Sequence, residues 1–135
     1  MRTLSDVTSA TGFEVLEHLE AEAEVPVLDG LQAQGDLIIV PKAGHHGGTA
    51  TRDVPPAGIP VIEAAGGGHE HRLFAGTPGT AFWTPAGAGQ VIGVVECTAP
   101  AYILHPEHGA AGLAPGAYEL RRQREQADEE RLVAD

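Results

Sequence analysis

The chain has 135 residues, one domain's length, and a formal net charge of −11, which argues against general nucleic-acid or anionic-membrane binding because both need a positive surface. The single cysteine, Cys97, excludes an internal disulfide and a thiolate-only zinc site. No apolar run of about 18 residues is present to span a membrane as a helix, and Met1-Arg2-Thr3-Leu4-Ser5-Asp6 lacks an apolar signal core, so a cytoplasmic location is expected.

Residues 1–11 are polar and weakly patterned, as expected of a mobile segment or one that docks on a partner. Phe13, Leu16 and Leu19 fall near helical spacing, with Glu14, Glu17, Glu20 and Glu22 on the other faces. This predicts a short acidic helix at 12–23, with an extended arm as the alternative. His18 reads as a polar-face residue there. Residues 1–23 thus form an N-terminal arm or short helix ahead of a β domain at 24–125.

From Glu24 the pattern turns to β. Val25-Pro26-Val27-Leu28 ends at the turn pair Asp29-Gly30, and Gln34-Gly35-Asp36 leads into the apolar run Leu37-Ile38-Ile39-Val40-Pro41. Residues 42–58 read as a long loop. Further strands are expected at Ile59 to Ala64, His69 to Ala75, Thr80 to Thr84, Val91 to Cys97, Ala101 to Leu104 and Ala117 to Arg124, punctuated by Pro78-Gly79, Pro85 to Gly89 and Pro115-Gly116. With 18 Gly, 10 Pro and 4% aromatics, the chain has an aliphatic core and many turns. The sum is about eight short strands, an all-β small barrel or sandwich. Residues 126–135 are an acidic C-terminal tail.

The chemistry concentrates in two histidine clusters. In a strand, alternate side chains share a face, so His69 and His71 point the same way. His105-Pro106-Glu107-His108 places two more imidazoles at a strand end and its turn. If the fold brings the clusters together, His69, His71, His105 and His108 supply the ligands for a divalent metal: zinc, iron, manganese or nickel. They would equally suit a small polar ligand, with Glu107 or Glu63 as further carboxylates. The structural alternative is that these rings sit on the surface or bond backbone carbonyls. His45 and His46, adjacent and flanked by glycine, suit a metal pair less well because neighbours in an extended chain point oppositely. Glu70 should face away from His69 and His71, exposed or paired with Arg72. Arg121, Arg122 and Arg124 form the one dense basic patch, either an anion site or the partners of nearby acids such as Glu119 and Glu125. Cys97 reads as a buried small hydrophobe and Trp83 as core or pocket wall.

Gly68-His69-Glu70-His71 resembles the start of the first cupin motif, with His105 or His108 standing for the later histidine. Where cupins carry a carboxylate a few residues on, this chain has Arg72, Leu73 and Phe74. The resemblance implies a cupin-like β-barrel and a metal held by those histidines. From about residue 34 the chain is also similar to a group of uncharacterised small bacterial and phage-associated β proteins. The likeness rests on Gly35-Asp36-Leu37-Ile38-Ile39-Val40-Pro41, Gly68-His69-Glu70-His71-Arg72, His105-Pro106-Glu107-His108, Pro115-Gly116-Ala117-Tyr118 and Arg122-Gln123-Arg124-Glu125. That likeness implies the layout and not a reaction. The N-terminal segment, the acidic tail and the high Gly and Pro content point to a second function, a structural or interaction subunit of a phage-like or other assembly, including a homo-oligomer.

Overall fold

Alternation of apolar and polar side chains sets the strands and decides which face of each is buried. The computed structural model describes residues 2–13, 24–43, 51–63, 70–86 and 89–122. His18, His45, His46, His69, Arg124 and the acidic tail lie outside the described residues, as does most of the helix expected at 12–23. Among the described residues one helix, α1 (Leu4–Thr11), precedes eleven strands: β1 (Val27–Leu28), β2 (Gln32–Gln34), β3 (Leu37–Pro41), β4 (Arg52–Asp53), β5 (Ile59–Ile62), β6 (His71–Ala75), β7 (Ala81–Pro85), β8 (Val91–Cys97), β9 (Ala101–His105), β10 (Gly109–Leu113) and β11 (Gly116–Arg122).

They form two sheets, β1-β10-β9-β6-β5 and β2-β3-β11-β8-β7-β4. The sheets do not close on each other, so the architecture is a sandwich rather than a barrel, and eleven strands replace the expected eight. The additional three, β2, β4 and β10, have sequences Gln-Ala-Gln, Arg-Asp and Gly-Ala-Ala-Gly-Leu, none of which carries a strand signature. Pairing with a stronger neighbour holds them: β10 lies antiparallel along β9, and β2 along β3.

The inner faces supply the main core: Leu37, Ile39, Leu73, Trp83, Val95, Ile103, Tyr118 and Leu120 are all buried in it. Gly93 makes room for Trp83, since a Cβ there would lie 2.6 Å from the indole. The first sheet is buried on its outer face as well, and this is where α1 belongs. Leu4 and Val7 pack with Val25 over Phe74, Tyr102 and Leu104, and Phe13 meets Phe74 edge to face at 6.1 Å. Residues 4–11 are therefore helical and docked within the chain, where a mobile segment or one docking on a partner was expected. A capping box explains the start: Thr3 Oγ1 accepts from Asp6 N while Asp6 accepts from Thr3 N. Gly12, at φ 74°, ends the helix.

Candidate functional site

At one end of the sandwich the core is polar. Inner positions along β6 run His71, Leu73, and along β9 Ala101, Ile103, His105. Arg72 pairs with Leu104, so one residue further along, His71 comes beside His105. Their ring centroids are 4.4 Å apart, and His105 lies 4.5 Å from His108. The two clusters thus converge through His71, His105 and His108. His71 and His105 are fully buried, while His108 is exposed in the turn after β9.

The second sheet contributes what the sequence pattern did not single out. Gln34 pairs with Leu37 across the turn Gly35-Asp36, and Gly35 has φ 59°. A glycine at the first turn position is the requirement of a tight type II′ hairpin. That turn carries two buried polar side chains, Gln34 and Asp36, into the gap between the sheets. Gln34 Nε2 donates to Ile103 O at 2.9 Å and to Gly109 O at 3.3 Å, and Gln34 Oε1 is 2.9 Å from His71 Nδ1. Asp36 Oδ1 lies 3.2 Å from His71 Nε2, and Asp36 Oδ2 accepts from Arg122 Nε at 3.3 Å. Arg122 stands opposite Leu37 at the end of β11, which is why it reaches the turn. Gln34 and Asp36 thus tie both sheets together, and Gln32 adds a third tie by donating from Nε2 to Gly112 O at 2.8 Å.

His105 has a different role. Its Nδ1 accepts from the backbone N–H groups of Glu107 and His108 at 3.0 and 3.2 Å, and so holds the Pro106-containing turn closed. That bond uses the Nδ1 lone pair, leaving the ring proton on Nε2. Both His71 nitrogens already face Gln34 and Asp36. A metal needs imidazole lone pairs directed at one point. Among the described residues, no group of three or more His, Cys, Asp or Glu is arranged to hold one.

An open cleft of about 300 Å³ adjoins this end, lined by Gln32, Gln34, His108 and Ala110 among others. Glu63 is exposed just past β5, and Glu107 is half-buried, with its backbone serving the turn. Glu70 accepts from Arg72 Nη1 at 2.7 Å, the surface pair expected of it. Of the arginine patch, Arg121 pairs with Glu119 and Arg122 with Asp36, so these two answer nearby acids. Trp83 and Cys97 are core residues, and burial pushes the Cys97 thiol up from its ordinary value. Among the described residues no helix is long and apolar enough to cross a membrane.

No curated protein and no solved structure matches the chain. The model of one family, a domain of unknown function (DUF8820), matches residues 33–123, a span that takes in Gln34, Asp36, His71, His105, His108 and Arg122, and the chain belongs to that family.

Proposed function

We propose that this protein is a small-molecule binding module whose polar ligand enters the cleft between β2 and β10 and is held at the histidine end. The run of adjoining rings His71, His105 and His108, anchored through His71 to Gln34 and Asp36, carries this reading, because it sets a polar wall behind a cleft of about 300 Å³. A buried polar network of this kind costs stability unless fully satisfied, and a hydrophobic core end would be simpler. The competing occupant is a divalent cation, zinc, iron, manganese or nickel, taken by His108 with His69, His71 or His105.

Titrations of the purified protein with small carboxylates, amides, phosphate and the four metals, followed by thermal shift and by amide NMR, test the reading. One class should perturb residues 34, 35, 108 and 110, and His108→Ala, an exposed substitution, should weaken that class while leaving the unfolding temperature nearly unchanged. If none of these compounds moves those signals, or His108→Ala binds as the parent does, the reading fails.

A second reading, an assembly subunit or homo-oligomer, is favoured by one feature. Leu28 and Leu31 are 44% and 71% exposed on either side of the Asp29-Gly30 turn. They stand near a shallow cleft of about 410 Å³ lined by Asp29, Lys42, Pro115 and Tyr118 among others. Light scattering of the parent and of Leu31→Asp decides it: a mass above one chain that falls to one chain in the variant supports an interface there.

A further inference from the structure

We infer that Asp36 and His71 share one buried proton, and that the positive charge it leaves favours anionic or carbonyl-bearing ligands over metal ions at the histidine end. The inference rests on the ligand-binding reading above for where a ligand sits, but the proton itself follows from hydrogen-bond polarity alone.

The Gln34 side chain fixes the starting point. A carbonyl oxygen only accepts, so the Gln34 nitrogen must be the atom between Ile103 O and Gly109 O. The Gln34 oxygen therefore faces His71, and His71 Nδ1 must carry a hydrogen to meet it. The other ring nitrogen, Nε2, faces a carboxylate oxygen of Asp36. A neutral ring with its hydrogen on Nδ1 would oppose two lone pairs there. One proton more is required, either on Nε2 or on Asp36. Arg122, a permanent cation on the other Asp36 oxygen, favours the ionised carboxylate and so places the proton on the imidazole. His71 is then an imidazolium between an amide oxygen and a carboxylate.

The neighbouring ring agrees with this assignment. His105 accepts two backbone N–H groups at Nδ1, so it is the neutral tautomer with hydrogen on Nε2. Two cationic rings with centroids 4.4 Å apart would repel; one charged and one neutral ring do not. Among the described residues, the charged and titratable groups facing His71 include Asp36, Arg122 beyond it, and the His105 ring, whose centroid lies 4.5 Å from that of His108. Neither buried ring offers a lone pair to a cation. A metal would have to expel the proton from His71 or break the turn that His105 closes. An anionic or carbonyl-bearing molecule in the cleft requires neither change, and the net positive charge of His71, Asp36 and Arg122 behind the cleft wall favours it.

Ring ¹⁵N–¹H correlation spectra of the full chain near neutral pH test this. His71 should show two protonated nitrogens and His105 a single proton on Nε2. In Asp36→Asn the new amide N–H can serve Nε2, so His71 should lose one proton and become the neutral Nδ1–H tautomer. A bare Nε2 on His71 in the parent protein, or a proton on His105 Nδ1, overturns the assignment without needing any variant. Zinc chloride in several-fold excess should leave both ring patterns intact, and zinc-induced loss of either N–H overturns the preference. Sodium acetate and inorganic phosphate should shift signals of residues 34, 71 and 108. Silence toward both, with the ring pattern as expected, removes the ligand reading and the acceptor preference that rests on it. The shared proton then stands as read directly from the spectra.

Discussion

The two ends of the sandwich are built from the same strands by opposite means. Toward one end the inner faces of β6 and β9 present Leu73 and Ile103 to Leu37, Ile39 and Leu120, all fully buried and apolar. One step along the same strands, His71 and His105 are just as buried but meet Gln34, Asp36 and, through Asp36, Arg122. The apolar end gains from area removed from water and has no directional requirement. The polar end works only while each donor has its acceptor. The difference teaches where the fold spends directional bonds rather than area: an end that a few leucines would fill instead carries a buried hydrogen-bonded network next to an open cleft.

Truncation should separate the two most sharply. Leu73→Ala removes a fully buried side chain from a packed core and is expected to cost about 4 kcal/mol, read as a lower urea midpoint at unchanged slope. His71→Leu keeps volume but strips Gln34 Oε1 of its donor and removes the imidazole from Asp36, for about 3 kcal/mol. The contrast shows in combination. Leu73→Ala and Leu37→Ala should nearly add if the cavities stay separate. Gln34→Leu with His71→Leu should cost about 1–2 kcal/mol less than the sum of the singles, because each single leaves the other partner unmet. A purely additive polar pair would show that the network is not a unit.

The same contrast explains what was legible in the sequence. The apolar strands announced themselves: Leu37-Ile38-Ile39-Val40, Val91 to Cys97 and Ala101 to Leu104 alternate or run β-branched between glycine and proline, and all three are strands. Strands held by a neighbour's backbone did not, since Gly109 to Leu113 has almost no side chains with which to declare itself. The histidines were legible because imidazole is rare and period two puts such side chains on one face; His71 and His105 do meet. Their partners were hidden. Gln34 and Asp36 flank a turn glycine, where polar residues are ordinary, and only the two-sheet geometry turns them inward. Arg122 was visible as part of a basic patch, but its acid lies 86 positions away in the chain. The ring nitrogens' commitments, which bear most directly on a metal, are set by backbone amides and by an amide flip that no spacing rule records.

The smallest effects are expected at the N-terminal helix, which lies outside the matched family span yet covers the outer face of the first sheet. Thr3→Ala removes the N-cap oxygen and should cost about 1 kcal/mol. Its partner gives a pH test with a definite sign. The hydrogen bond from Thr3 N–H, joined by the Thr3 hydroxyl, holds the Asp6 carboxyl below its ordinary value of 3.8. A depressed folded-state value means that the cap favours the ionised form. Its contribution is complete above pH 3.8 and is lost as pH falls through the folded value. The Thr3 amide resonance should therefore move in acid, below the ordinary carboxylate midpoint, and Asp6→Asn should abolish that step. Signals of Leu73 and Ile103, on the inner side of the same sheet, should stay put through it, because the helix packs only on the outer face; if they move with Thr3, the two faces of the first sheet are one cooperative unit.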